Sequence, residues 1–302
     1  MKYFYIHPFK PQYFFPKDFK DHKIMCSFYS PYSTVGTVSW QLFNKSSLYR
    51  AFFGQNNIEK HIPETKIRKI VGEKAIMAFN TGTPGIEQKI TALGVLNDAE
   101  FFIKYAQTAL AKNNVTNEHH VLRQLSSLNY VPKVLDFYKD AQQVLLKTSV
   151  LKGGRLSLIV MNDKLLACLF NLEEMYVKTN NVLDTSLKTG FAHGDFCPWN
   201  MMMKEQQILL YDWEMAATYP LGYDLFTFIF QTSFILTPQK KIDSIFTGNK
   251  SFIIKYFSHF SISDWKEYLV AFAKQKINFE TSKAPKGLLS EYKMLLDYAE
   301  KA

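Results

Sequence analysis

Cysteine is scarce in this sequence, and long apolar runs are missing. The 302 residues contain three cysteines, Cys26, Cys168 and Cys197, which are too few and too widely spaced for a disulfide framework or a zinc-binding pattern. No apolar run reaches the roughly 18–20 residues that a membrane-spanning helix needs. The N-terminal segment also lacks the unbroken apolar stretch of a signal peptide. These absences predict a globular protein of a reducing compartment, the cytoplasm.

Positive charge is in excess, but it is not concentrated as in a nucleic-acid-binding protein. The chain has 36 Lys and Arg against 27 Asp and Glu, a net charge of +9. Residues 1–151 carry 19 basic and 11 acidic residues, whereas residues 152–302 carry 17 and 16. No dense basic stripe or known binding motif accompanies this excess. We therefore expect a solvated basic surface and sites for anionic groups, with no nucleic-acid partner.

The residue pattern divides the chain into three parts. Residues 1–60 are rich in Phe, Tyr and Lys and include a predicted helix over residues 39–53. Residues 61–150 alternate five short β-segments with one helix, and residues 151–302 are mostly helical. We expect the first part to be an extension packed on the second. Contact of the aromatic residues in positions 1–53 with a membrane surface is the alternative.

The polar residues with the clearest chemical pattern lie in the third part. His193, Asp195 and Asn200 form H-G-D-x-x-x-x-N, and D-W-E with Asp212 and Glu214 follows a short predicted hairpin. A loop carboxylate can accept the proton of an attacking hydroxyl. An amide oxygen and a second carboxylate are ligands that Mg²⁺ takes. The pattern predicts phosphoryl transfer, and it resembles the catalytic and metal-binding loops of the protein kinase superfamily.

The amino-acid sequences of these segments resemble one branch of that superfamily more closely. HGDFCPWN, LLYDWE and YPLGYDLF are similar to the aminoglycoside phosphotransferase and choline kinase family, ATP-dependent enzymes that phosphorylate hydroxyls of small molecules. The resemblance implies an α+β, bilobal, protein-kinase-like fold. A small antiparallel-sheet N-lobe with one main helix (residues 61–150) would bind the nucleotide, and a larger helical C-lobe (residues 151–302) would hold the catalytic loop, metal and acceptor.

The same resemblance implies roles for individual residues of the C-lobe. Asp195 would be the catalytic base, with His193 as a structural member of its loop. Asn200 and Asp212 would hold Mg²⁺, and Glu214 would be a further metal contact. Asp224, in G-Y-D-L-F, would begin a buried helix and accept hydrogen bonds from the catalytic loop.

In the N-lobe the resemblance implies a lysine that binds ATP phosphates. Lys104, in the predicted strand FFIKYA, fits this position, and Glu118 on the following predicted helix is its expected ion-pair partner. The segment NTGTPG, with Gly82 and Gly85, could cover phosphates with backbone N–H groups, although an ordinary hairpin turn explains it equally well.

The predicted hinge between the lobes follows the last strand of the N-lobe. Its residues Thr148, Ser149 and Leu151 are expected to meet adenine through main-chain atoms. Such contacts depend little on side-chain identity.

Three kinds of acceptor stay open. The C-lobe has nearly balanced charge, which favours a neutral or anionic hydroxylated metabolite such as a sugar over a polycationic aminoglycoside. Choline or ethanolamine would need an aromatic cage, for which Tyr211, Trp213, Tyr219 and Tyr223 are candidates.

Two further classes of protein are alternatives to a small-molecule kinase. A catalytically silent nucleotide-binding module usually lacks the base or a metal ligand, and here all of them are present. A protein kinase is disfavoured because HGD replaces HRD, DWE replaces DFG and no A-P-E segment follows.

Overall fold

A computed structural model describes residues 2–6, 12–21, 23–29, 34–46, 50, 54–55, 58–156, 160–180, 185–282 and 287–301. The chain forms two compact units. Unit 1 comprises Met1–His119 and Lys133–Val150, and unit 2 comprises His120–Pro132 and Leu151–Ala302. Within these described ranges, no helix has the length and apolar character needed to cross a membrane.

Unit 1 is built on one antiparallel sheet. Its eight strands lie in the order β3-β1-β2-β4-β5-β6-β8-β7. They are β1 (Tyr3–Tyr5), β2 (Tyr13–Pro16), β3 (Gly54–Gln55), β4 (Ile76–Asn80), β5 (Lys89–Leu96), β6 (Ala99–Ala106), β7 (Val134–Lys139) and β8 (Val144–Thr148). The helices are two short 3₁₀ helices (Phe19–Asp21 and Lys23–Ser27), α1 (Thr34–Lys45), α2 (Glu64–Val71) and α3 (Ala109–Gln124), which continues into unit 2. The five predicted β-segments correspond to β4–β8.

The N-terminal strands of unit 1 are buried on both faces of the sheet. Successive side chains of a strand point to opposite faces, and both are covered here. Phe14 packs in a cluster with Ile67 of α2, whereas Phe15 packs with Phe43 of α1. These aromatic side chains are completely buried. They form the core of unit 1, so they are not available to a membrane surface.

The helix predicted over residues 39–53 is wrong in its bounds. The observed helix, α1, begins five residues earlier, at Thr34, and ends at Lys45. Its position is set by packing against the sheet through Phe43, a tertiary contact that overrides local helix signals. Gly54, the residue directly after the predicted helix, lies in β3. Residues 47–49 and 51–53 of the predicted helix lie outside the described residues.

Unit 2 is mainly helical, as predicted. Its helices are α4 (Asp163–Glu173), α5 (Tyr223–Phe226), a π-helical turn (Thr227–Gln231), α6 (Thr232–Leu236), α7 (Ile242–His259), α8 (Lys266–Thr281), α9 (Leu289–Lys301) and the 3₁₀ helices Pro198–Asn200 and Trp213–Met215. Its strands are β9 (Gly154–Arg155), β10 (Thr189–Ala192), β11 (Met201–Lys204), β12 (Gln207–Leu210) and β13 (Ala217–Pro220). Strand β10 pairs with β13, and a small sheet has the order β12-β11-β9.

The apolar segment that begins at α5 forms the core of unit 2. Leu225, Phe226 and Phe230 are completely buried. The ring of Phe226 packs against Phe257 of α7 and Phe272 of α8, with centroid distances of 5.7 and 5.6 Å. The segment is apolar on all sides because other helices surround it.

Candidate active site

His193 connects the predicted catalytic loop to the end of the β11–β12 hairpin. Its buried ring lies between two backbone groups of unit 2. Nδ1 accepts a hydrogen bond from the main-chain N–H of Asp195 at 3.3 Å, so Nε2 carries the proton and donates to the carbonyl of Tyr211 at 3.0 Å. The ring also packs against Trp213, at a centroid distance of 4.6 Å. His193 therefore fixes the loop next to the segment that contains Asp212.

Position 194, between His193 and Asp195, requires a glycine. Its φ is +84°, in the left-handed region that favours glycine. A Cβ at this position would lie 2.2 Å from the carbonyl oxygen of Met215. The loop thus passes so close to the backbone after D-W-E that any side chain would have to displace it.

The carboxylate of Asp224 binds the same loop through hydrogen bonds from its main chain. Oδ2 accepts the main-chain N–H of His193 at 2.6 Å, and Oδ1 accepts that of Gly194 at 2.9 Å. Asp224 lies in the first turn of α5 and is buried. Burial raises the pKa of its carboxyl, while the two main-chain N–H donors oppose that rise. The hydrogen bonds to the catalytic loop that the sequence predicts are present.

Asp195 and Asn200 are joined across the loop. The Asn200 amide nitrogen donates to the Asp195 side-chain Oδ2 at 2.8 Å and to its main-chain oxygen at 2.9 Å. Asn200 is buried, whereas Asp195 is half-buried. Because the amide nitrogen is committed to Asp195, the amide oxygen is the atom of Asn200 that could hold a cation.

Asp212 follows β12 with an unusual backbone conformation. Its φ of +69° lies in the left-handed region, which is uncommon for a residue with a side chain and often marks functional sites. The preceding Tyr211 donates its N–H to the carbonyl of Asn200 at 3.1 Å. This bond closes the hairpin, so Asp212 emerges beside the segment that carries Asn200. Both Asp212 and Glu214 are half-buried.

Three further polar residues that the sequence analysis missed support Asp195. Gln231 donates its amide N–H to Asp195 Oδ1 at 2.7 Å. The Gln231 oxygen accepts from Lys276 Nζ at 3.0 Å and from the Tyr292 hydroxyl at 2.9 Å. Lys276 and Tyr292 are buried, and burial lowers the pKa of Lys276. The sequence signal that could have found Gln231 is its place as the one amide side chain in the mostly apolar segment DLFTFIFQTSFI. A buried amide needs hydrogen-bond partners.

Cys197 lies in the loop but does not have the properties of a nucleophile. It is buried, and burial raises the pKa of its thiol well above the usual range. The thiol donates to Asp195 Oδ1 at 3.5 Å. A reactive cysteine needs a stabilised thiolate, so this thiol is a neutral neighbour of Asp195.

In unit 1, Lys104 and Glu118 form the predicted ion pair. Lys104 Nζ lies 2.5 Å from Glu118 Oε2, and both side chains are buried. Lys104 is on β6, in register with Thr91 of β5 and Leu146 of β8, and Glu118 is on α3. The central position in the sheet and the helix that follows fix both ends of the pair.

The two glycines of NTGTPG differ in their surroundings. Gly82 donates its N–H to Asn80 Oδ1 at 2.9 Å, and a Cβ at this position would lie 2.3 Å from the carbonyl oxygen of Lys89. These contacts favour the hairpin-turn interpretation for Gly82. Gly85 is exposed, and a Cβ there would meet nothing within 4 Å. Phosphate binding by this loop stays a prediction.

The predicted hinge residues are divided between the units. Thr148 ends β8, and Ser149 is bound to Lys133 within unit 1. The Ser149 N–H donates to the Lys133 carbonyl, and the Lys133 N–H donates to Ser149 Oγ, both at 2.8 Å. Leu151 begins the second segment of unit 2. The N–H of Ser149 is therefore already used, and adenine contact at the hinge stays a prediction.

Comparison with known proteins agrees with this geometry. Residues 160–240 match the phosphotransferase enzyme family, and this segment contains the predicted catalytic loop, D-W-E and Asp224. No curated protein matches the sequence. The structure is similar to that of the amicoumacin kinase hAmiN in complex with AMP-PNP, Ca²⁺ and Ami, with 12% identity, a TM-score of 0.51 and coverage of 81% of this chain and 94% of that one.

A second similar structure is the aminoglycoside phosphotransferase APH(4)-Ia. Its identity is 10%, its TM-score is 0.51, and the alignment covers 80% of this chain and 98% of that one. At such low identities these similarities establish the fold, which is protein-kinase-like as predicted. The resemblance inferred from the motifs is confirmed by the family match. The segment that carries the candidate site is thus similar in sequence to the phosphotransferase enzyme family.

Proposed function

We propose that the protein transfers the γ-phosphoryl group of ATP to a hydroxyl of a neutral or anionic small molecule, with Asp195 as the catalytic base. The observation that carries this proposal is the arrangement around Asp195. Its two carboxylate oxygens accept from the amides of Asn200 and Gln231 at 2.8 and 2.7 Å. A base must be within hydrogen-bond reach of the proton it takes and correctly oriented. Neutral donors orient Asp195 without protonating it.

The reaction follows from the chemistry of these groups. The acceptor hydroxyl gives its proton to the Asp195 carboxylate while its oxygen forms a bond to the γ-phosphorus. The bond between the γ-phosphorus and the β–γ bridging oxygen breaks, and the electron pair leaves with ADP. Asp195 then releases the proton to solvent. Asp195 Oδ1 accepts from Gln231 and from the Cys197 thiol, whereas Oδ2 accepts from Asn200. A carboxylate oxygen has two lone pairs, so Oδ2 keeps room for the acceptor hydroxyl.

A magnesium ion fits the residues beside the base. The amide oxygen of Asn200 and the carboxylate of Asp212 would hold it, with Glu214 as a further contact. Hard cations take oxygen ligands, and the fixed amide nitrogen of Asn200 leaves its oxygen for this purpose. When bound, the ion neutralises negative charge on the nucleotide phosphates. The hAmiN structure contains a nucleotide analogue and Ca²⁺, which supports divalent-cation use here.

Lys104 is the proposed phosphate ligand of unit 1. Its ammonium is oriented by Glu118 at 2.5 Å, and a lysine held by a helix glutamate is the arrangement that kinases use for ATP phosphates. The main chain at Thr148, Ser149 and Leu151 would contact adenine. The exposed Gly85 is the better candidate of the two loop glycines for a phosphate contact.

Lys276 favours a neutral or anionic acceptor. Its side chain is bound to Gln231, whose amide contacts Asp195. An acceptor hydroxyl has to approach Asp195, and a buried ammonium one side chain away offsets part of the negative charge that would attract a polycation there. A sugar or sugar-like metabolite therefore ranks before an aminoglycoside, although one of the similar structures is an aminoglycoside phosphotransferase.

The structure gives little support to choline or ethanolamine as acceptor. Of the four candidate cage residues, Trp213 and Tyr223 are buried. The hydroxyls of Tyr211 and Tyr219 donate to the main-chain carbonyls of Trp199 and Met215. These four aromatic side chains are engaged in packing and hydrogen bonds within unit 2, whereas a cation cage needs exposed ring faces.

The test is ADP release from ATP with a panel of acceptors, with Mg²⁺ and with EDTA. The panel contains neutral sugars, sugar acids, choline, ethanolamine and kanamycin-like polycations. We expect Mg²⁺-dependent turnover with a neutral or anionic sugar. Micromolar turnover of polycations with inert sugars would contradict the acceptor class. Absence of turnover together with no Mg²⁺-dependent thermal shift by ATP would indicate a silent module instead.

A further inference from the structure

Asp195 is linked by hydrogen bonds to Gln231, and Gln231 to Lys276. Gln231 and Lys276 lie outside the H-G-D-x-x-x-x-N and D-W-E motifs. We propose that Gln231, held by Lys276 and Tyr292, is a positioning residue that fixes the rotation of the Asp195 carboxylate for proton transfer. This inference rests on the proposed function of Asp195 as base. Its geometric basis is the 2.7 Å bond from the Gln231 amide to Asp195 Oδ1.

The orientation of the Gln231 amide is determined by its neighbours. Its oxygen accepts from two donors, Lys276 Nζ at 3.0 Å and the Tyr292 hydroxyl at 2.9 Å. Rotation of the amide by 180° would turn its N–H₂ toward the lysine and its oxygen toward the Asp195 carboxylate. Both contacts would be repulsive, because donors would face donors and acceptors would face acceptors. Gln231 can therefore only donate to Asp195.

The supporting residues are themselves held rigidly. Lys276 lies on α8, with its ammonium 4.9 Å from the ring centroid of Tyr223 and 5.6 Å from that of Phe272. Tyr292 lies on α9 and is buried. A buried lysine is costly unless it is compensated. The carboxylates of Asp195, Asp224 and Glu280 provide that compensation electrostatically.

Gln231 is also in an unusual backbone position. It is the last residue of the π-helical turn between α5 and α6. Turns of this type inside helices are rare and frequently occur at functional sites. The wider turn changes the direction in which the following side chains point, and here Gln231 contacts Asp195 while neighbouring residues of the turn are buried.

The two amide donors have different effects on Asp195. Without Gln231, Oδ1 would keep only the weak thiol contact from Cys197 at 3.5 Å, and the carboxylate could pivot about the Asn200 hydrogen bond at Oδ2. The second bond, from Gln231 to Oδ1, fixes the plane of the carboxylate and hence the direction of its remaining lone pairs. Proton transfer depends on that direction, and a misplacement of about 1 Å can cost about 10²-fold in rate. Lys276 and Tyr292 lie beyond residues 160–240, the segment that matches the family.

Two variants separate positioning from a merely structural role. Gln231→Glu keeps acceptor oxygens for Lys276 and Tyr292 but replaces the donor at Asp195 with another acceptor. Gln231→Leu removes both sets of hydrogen bonds. Gln239→Glu, at an exposed position, is the control for the added charge. Each Gln231 variant is also made in the Asp195→Asn background, and kcat, KM, nucleotide affinity and melting temperature are measured.

We expect Gln231→Glu to remain folded, with unchanged nucleotide affinity and a kcat lowered by about 10²-fold, the cost of a misplaced catalytic group. In the Asp195→Asn background the same change should alter kcat by less than about twofold, because no base is left to position. A wild-type kcat in Gln231→Glu would contradict the proposal, because it would show that the Gln231 contact supports the fold but does not position Asp195 for proton transfer. An equal loss in both backgrounds would show that Gln231 does not act through Asp195. Wild-type turnover of Asp195→Asn alone would overturn the proposed function, and this inference with it.

Discussion

The charged residues of the candidate site are held in different ways in unit 1 and in unit 2. In unit 1, Lys104 and Glu118 form a buried ion pair of opposite charges at 2.5 Å. In unit 2, Asp224 is bound by main-chain N–H groups, and Asp195 is bound by side-chain amides of Asn200 and Gln231. Neutral donors in direct contact orient a carboxylate and leave its charge in place, whereas a cation in direct contact cancels that charge.

This difference has a chemical reason. A catalytic base and a metal ligand must keep their negative charge for the reaction, so dipolar donors suit them better than a cation. A phosphate-binding lysine needs only a fixed position and a retained positive charge, which a carboxylate partner supplies. Changes in unit 2 should therefore act mainly on turnover. Changes in unit 1 should act on nucleotide affinity and on stability.

The largest effect is expected for Asp212. Asp212→Ala removes the charged metal ligand, so the Mg²⁺-dependent part of ATP binding should disappear and turnover should fall by about 10³-fold or more, since metal stabilisation is worth several kcal/mol. Asn200→Ala should weaken Mg²⁺ dependence less, because it removes a neutral ligand. Mg²⁺ titrations of ATP binding measure both, with the exposed Asp243→Ala as control. Unchanged titrations for Asp212→Ala would contradict the metal assignment.

The next effect concerns the ion pair of unit 1. Lys104→Ala should weaken ATP binding far more than adenosine binding, because the lost contacts go to phosphates. It should also destabilise the protein, since breaking a buried pair costs about 3–5 kcal/mol. Isothermal titration with both ligands and thermal unfolding measure the two effects separately.

A double variant distinguishes the two roles of Lys104. Lys104→Met with Glu118→Leu replaces the ion pair by apolar side chains, a change that is often neutral for stability. We expect the melting temperature to recover while ATP affinity stays low. Recovery of ATP affinity in this variant would show that the lysine is structural.

The smallest effect is the pH dependence of stability due to Glu173. Burial raises the pKa of Glu173 to about 8, so between about 4.5 and 8 the folded protein keeps a proton that the unfolded chain releases. The unfolded chain binds fewer protons in that window, and stability therefore falls as pH rises through it. The Tyr256 hydroxyl donates to Glu173 Oε1 at 2.6 Å. Glu173→Gln keeps an oxygen that can accept this hydrogen bond, but its amide does not titrate.

Thermal unfolding across pH measures this prediction. The melting temperature of Glu173→Gln should exceed that of the wild type by a few degrees more at pH 8.5 than at pH 5.5. Parallel curves for the two proteins would mean that Glu173 is ionised in the folded state. Tyr256→Phe is the companion variant, because it removes the hydroxyl that favours the ionised carboxylate.

The parts of the site that the sequence predicted are those with short-range determinants. His193, Asp195 and Asn200 share one loop, and Asp212 follows it after one hairpin, so their spacing alone indicates the geometry. The Lys104–Glu118 pair was predicted from the resemblance to kinases, which have a lysine on a strand and a glutamate on the helix that follows it.

The parts that the sequence did not predict depend on distant packing. Gln231 meets Lys276 and Tyr292 across 45 and 61 residues, and no local pattern encodes such contacts. Strands β1 and β2 join the sheet through pairing of β2 with β4, in which Tyr13 lies opposite Asn80. The two strands are far apart in sequence, because β2 ends at Pro16 and β4 begins at Ile76. Short aromatic segments of this kind do not indicate which sheet edge they will pair with.

The most direct test of the central claim is the turnover of Asp195→Asn in the presence of ATP, Mg²⁺ and an acceptor found in the panel. The substitution keeps the size of the side chain and removes its ability to accept a proton. We expect unchanged ATP affinity and a kcat lowered by about 10²–10⁴-fold, the usual contribution of a general base. A kcat close to that of the wild type, in a folded protein with normal ATP binding, would show that Asp195 is not the base.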